Sequence, residues 1–65
     1  MLGHLNPARQ RELFRGLVEL QDQGVDVQQS RELVANHAGI SVAEVREIER
    51  RGLQHDWPPL DGPPG

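Results

Sequence analysis

The sequence predicts one all-α domain, a three-helix bundle with a helix-turn-helix unit over 31–50 and a Pro-rich C-terminal tail. Three observations predict it. Apolar residues recur at helical spacing in three separate stretches, each stretch is opened by a residue able to cap a helix, and glycines punctuate the chain between them. At 65 residues the chain makes one domain at most. Folding at this size buries only about 60% of the surface the unfolded chain exposes, so a small helical core is within reach and a cleft for elaborate chemistry is not.

The elements follow in chain order. Residues 1–6 show no periodicity and read as a frayed or disordered N-terminus. Asn6 then stands before Pro7: the Asn side chain can accept from a free backbone amide, and Pro at the first helical position needs no donor there. Leu13, Leu17 and Leu20, with Phe14 and Val18 beside them, give the apolar stripe of a helix over about 7–23, which Gly24 stops in the left-handed conformation. Gly16 inside that helix costs about 1 kcal/mol relative to Ala and marks a place where another helix can approach closely.

Asp26 with Gln29 three residues on predicts a variant capping box for a second helix, whose apolar surface is Val27, Leu33, Val34, Ala35 and Ala38. Gly39 ends it. Ser41 with Glu44 is the S-x-x-E capping box in its usual form, and it opens a third helix after a three-residue turn. Val45 and Ile48 are expected to face inward, Gly52 to terminate the helix, and Leu53 to pack back over the last turn. The domain is therefore expected over 7–56. From Trp57 onward the WPPLDGPPG segment forbids helix and predicts an extended tail over 57–65.

Two helices joined by so short a turn pack together only if particular positions are small, bendable or apolar. Here Ala35 is small enough for a close crossing, Gly39 can take the left-handed bend, Ile40 can plug the corner, and Val45 and Ile48 can anchor the next helix. The stretch GISVAEVREIERRGL, residues 39–53, resembles the promoter-reading fourth region of bacterial RNA polymerase sigma factors. Residues 7–38 resemble that region's preceding helices, with Arg11, Glu12, Leu17, Gly24, Ser30 and Ala35 in roughly the expected order. The likeness covers about 70% of the chain, but 65 residues cannot hold the further regions of a complete sigma factor.

The resemblance implies a DNA-binding module of a small transcription-associated protein, with the third helix in the major groove of double-stranded DNA. On that analogy Ser41 caps the recognition helix near a phosphate, and Val42, Ala43, Arg46, Glu47 and Arg50 line the groove face. Arg46 suits bidentate guanine readout, Glu47 can accept from cytosine, and Arg50 can reach a phosphate. Val42 and Ala43 depart from the family's polar base readers and can only touch a thymine methyl.

Charge pulls the other way. All seven basic side chains are Arg, ten acids outnumber them, and the net charge is −3. Duplex affinity rests largely on displaced counterions, so one copy, offering about three to five phosphate contacts, binds weakly and calls for dimerisation or tethering. The alternative is a protein-binding adapter that keeps the helix-turn-helix frame and contacts RNA polymerase or another protein, with Val42 and Ala43 in an apolar contact. A plainer account of the arginines is a solvated face stitched by pairs, Glu47 with Arg50 or Arg51 and Glu44 or Glu49 with Arg46.

Other classes find little support. No Cys, Lys or Tyr is present, Ser30 and Ser41 are explained by helix chemistry, and no phosphate-cradling Gly-rich loop exists, so the chain reads as no enzyme. His4, His37 and His55 are far apart and imply no metal site, and no cofactor is implied. No apolar run approaches the roughly 20 residues that span a bilayer, and with no Cys the default location is cytoplasmic. Trp57 and Leu60 can fold over the core and add burial the domain needs, present a peptide to a partner groove, or stay disordered, as 61–65 are expected to be in every case.

Overall fold

Caps decide where the helices begin. In the computed structural model, which describes residues 5–57, α1 spans Pro7–Asp22, α2 Val27–Ala38 and α3 Val42–His55. The Asn6 side chain accepts the Arg9 backbone N–H at 2.7 Å, and the Asp26 carboxylate accepts that of Gln29 at 3.2 Å. Gln29 makes no return bond, so only the first half of the expected box forms there. At Ser41 both halves are present: Ser41 Oγ accepts the Glu44 N–H at 3.1 Å, and the Ser41 N–H donates to Glu44 Oε1 at 3.1 Å.

The three helices end in one way. The chain turns left-handed at Gly24 (φ 95°), Gly39 (φ 71°) and Asp56 (φ 51°). The next residue then donates its backbone N–H to a carbonyl five residues back, Val25 to Leu20, Ile40 to Ala35 and Trp57 to Gly52, each at 3.0 Å. Each of those residues is apolar and at least partly sheltered, so the returning chain covers the end of its own helix.

Gly52 is therefore no terminator. It lies buried within α3, which continues to His55, and Asp56 supplies the left-handed turn. Leu53, expected to pack back, is 58% exposed, because α3 runs on past it and leaves it on the outer side. Gly52 is also where two elements meet most closely: a Cβ there would overlap the ring of Phe14, whereas a Cβ on Gly16 would meet nothing within 4 Å. The close approach expected at Gly16 is thus made at Gly52 instead.

The core draws on all three helices: Leu13, Phe14 and Leu17 from α1, Val34 and Ala35 from α2, Val45 and Ile48 from α3. Ile40 and Trp57 pack against it, and the Trp57 ring meets Phe14 edge-on at 5.9 Å. Val27 and Leu33, expected on the inner surface of α2, are each 45% exposed; the helix turns Val34 and Ala35 inward, which swings Leu33 to the rim.

Polar groups in the interior are matched. Ser30 Oγ donates to the Val27 carbonyl at 2.7 Å and accepts from Gln21 Nε2 at 3.2 Å. Gln10 Nε2 donates to the Leu5 carbonyl at 2.9 Å, and Gln10 Oε1 accepts from Arg51. Among the described residues no buried side-chain polar atom lacks a partner, as a well-packed small domain requires. Among them, too, no helix is long and apolar enough to cross a membrane. Leu60 and the tail beyond residue 57 lie outside the described residues, as do residues 1–4.

Candidate nucleic-acid interface

The inward residues of α3 fix which residues face out. Val45, Ile48 and Gly52 are buried, so helical geometry puts Ala43, Arg46, Glu47, Arg50 and Leu53 on the opposite side. Four of these are among the six residues that sequence reasoning named. Of the other two, Ser41 caps the helix as expected and Val42 departs from the outer face. Ser41 spends its hydroxyl and its backbone N–H on the Glu44 box, and Val42 is half-buried, packed against the core.

Ion pairs divide the charges of this face. Glu47 accepts from Arg50 Nε at 3.2 Å, from Arg50 Nη2, and from Arg51 Nε at 3.2 Å. Hydrogen bonds from Arg50 first and Arg51 second hold its carboxyl below the ordinary value of 4.5, and Glu47 in turn raises Arg50. Glu47 therefore stays ionised, and two of the arginines on this helix share its charge.

Arg46 stands apart. Its expected partners are otherwise engaged: Glu44 closes the capping box, and Glu49 accepts from Arg31 Nε and Nη2, each at 2.9 Å. Arg46 is exposed and has no ion-pair partner among the described residues. α3 itself carries three arginines and three glutamates, so its formal charges balance, and the α2 residue Arg31 that reaches it is paired with Glu49.

A shallow depression of about 480 Å³ runs across this face, lined by Ala43, Arg46, Glu47, Glu49, Arg50 and Leu53 on α3 and by Arg31 from α2. Arg31 and Leu53 were not foreseen there. Leu53 was legible, since it stands seven residues after Arg46 and three after Arg50, on the same helical side once the helix is allowed to pass Gly52. Arg31 was not, because its partner lies 18 positions away and no local pattern announces a contact between helices.

The arrangement offers one open guanidinium, a pinned carboxylate with two arginines, and two small apolar contacts on a rigid helix. It contains no nucleophile next to a base. Among the described residues no three His, Asp or Glu side chains gather as metal ligands do. Compared with family models, with curated proteins and with solved structures, the chain matches none of them.

Proposed function

We propose that this protein is a DNA-binding helix-turn-helix module of a small transcription-associated protein, which sets α3 in the major groove of duplex DNA. One observation carries the reading: a three-residue turn delivers a capped helix whose outer side is exposed and bears Arg46, a guanidinium that no carboxylate of the described residues holds. Arg46 is the base reader, able to give two parallel hydrogen bonds to a guanine edge. Arg50 and Arg51 meet phosphates, and the Glu47 carboxylate between them keeps their forks oriented. Ala43 and Leu53 supply apolar contact. The likeness of residues 39–53 to the sigma-factor fourth region supports this reading.

Affinity is low for a single copy, since Glu47 offsets part of the phosphate attraction. Titrating the labelled chain with mixed-sequence duplex at low salt is expected to shift the amides of residues 41–50 first. Arg46→Ala is expected to cost about 1–3 kcal/mol of that binding, and raising the salt to abolish it. No amide shift at low salt defeats the proposal.

A second reading has its own observation. Leu53, exposed at the far end of the depression that Ala43 also lines, is an apolar contact that a protein partner, such as RNA polymerase, could cover. Capture of a partner that survives nuclease, and is lost on Leu53→Asp but kept on Arg46→Ala, would favour the adapter over the DNA module.

A further inference from the structure

Arg46 and Glu49 stand on α3 in an order and spacing that closes into an ion pair elsewhere in the chain. In α1, Arg9 and Glu12, an arginine followed three residues later by a glutamate, meet at 3.1 Å. Arg46 and Glu49 have the same order and spacing on an unbroken stretch of helix, and both line the α3 depression. No ion pair joins them.

Glu49 has a partner from another helix instead. Arg31 of α2 sets Nε and Nη2 each 2.9 Å from Glu49 Oε1, and the two side chains are only 23% and 18% exposed. Two charge-assisted bonds with little water around them outweigh the solvent-screened contact that exposed Arg46 would offer along the helix. The carboxylate is thereby held toward α2.

We infer that Arg31 is a positioning residue for Arg46: by holding Glu49 it keeps that carboxylate off the Arg46 guanidinium and leaves the guanidinium open to the duplex. The consequence for binding rests on the DNA reading above; the restraint on Glu49 does not. Arg31 lines the depression too, so a direct contact between Arg31 and phosphate is the rival. Neutralising Glu49 separates the two. Under restraint, Arg31→Met costs binding chiefly while position 49 carries a charge. Under direct contact, Glu49→Gln sets Arg31 free, and Arg31→Met then costs as much or more. Losing one cation weakens general duplex attraction in both backgrounds, so only the difference between them counts.

The test uses the labelled full chain with Arg31→Met, Glu49→Gln and both together. Without DNA, the Arg46 Nε–H resonance is expected to move in Arg31→Met and its hydrogen exchange to slow, and adding Glu49→Gln to return both to the parent's values. In duplex titrations at one low salt concentration, Arg31→Met is expected to lose about two- to fivefold more affinity with Glu49 in place than with Glu49→Gln. That excess is expected to vanish in an Arg46→Ala background. An Arg46 resonance indifferent to Arg31→Met overturns the inference, whatever the duplex does. An excess that is absent or of opposite sign overturns it in favour of direct contact, and one that persists with Arg46→Ala overturns it in favour of a general distortion of α3. Should no chain, parent included, bind duplex, the DNA reading falls, and the Arg46 resonance still upholds or overturns the restraint. If circular dichroism shows that Arg31→Met does not fold, Arg31→Gln takes its place with the same expected outcomes.

Discussion

Gly52 and Gly16 are both helical glycines, and their neighbours give them opposite meanings. Under the Phe14 ring, itself buried, a methyl group at position 52 forces one of the two to move. Such overpacking costs about 1–3 kcal/mol, of which the better helix propensity of Ala returns about 1. Gly52→Ala is therefore expected to lower the melting temperature by about 5–10 °C in a domain this small. Gly16→Ala meets open space and is expected to raise it by several degrees, gaining about 0.5–1 kcal/mol. Thermal melts of both variants, followed by circular dichroism at high dilution, check this; shifts of the same sign would refute the packing described.

Between elements, ion pairs differ by where they sit. Arg31 and Glu49 join α2 to α3 with side chains only 23% and 18% exposed, whereas Arg15 and Glu19 lie along the surface of α1 at 70% and 54%. A double-mutant cycle to Ala is expected to give a coupling of about 1 kcal/mol for the first pair and a few tenths at most for the second. Equal couplings would mean that burial does not strengthen the α2–α3 link. Glu47 adds a pH dependence to α3. Its folded pKa lies below the ordinary 4.5 because Arg50 and Arg51 bond the charged form, so its contribution is in place above that value and fades as the pH falls through the depressed one. Urea midpoints of Glu47→Gln are expected to change less than those of the parent between about pH 5 and pH 3. Parallel pH profiles would remove Glu47 from the acid response.

Over the whole molecule, stability has little to spare. A chain of this length is worth about 3–10 kcal/mol at the usual share per residue. Trp57 matters at that scale, because its backbone N–H closes the end of α3 while its ring lies edge-on to Phe14 and within 6.0 Å of the Arg11 guanidinium. Trp57→Ala is expected to cost about 2 kcal/mol, less than a fully buried Trp because Trp57 is only partly buried. In the parent, tryptophan fluorescence and circular dichroism are expected to report one coincident denaturant transition. An earlier fluorescence transition would show Trp57 detaching before the helices melt.

Local chemistry settled much of this in the sequence alone. Asn6, Asp26 and Ser41 cap where a side-chain oxygen precedes free amides, and Gly24 and Gly39 turn where a side chain would be strained. Leu13, Leu17, Val34, Val45 and Ile48 enter the core because their spacing repeats with the helical turn. These effects act over four residues or fewer, so one stretch of chain reveals them. The end of α3 was legible only in part: Asp tolerates the left-handed turn far less often than Gly, yet Asp56 followed by apolar Trp57 fits the way the other two helices stop. The tertiary structure alone decided that Phe14 claims the space at Gly52, that Arg31 takes the Glu49 carboxylate expected for Arg46, and that Leu33 stays at the rim. Each depends on which helix lies beside which, and no periodicity within a single helix carries that information.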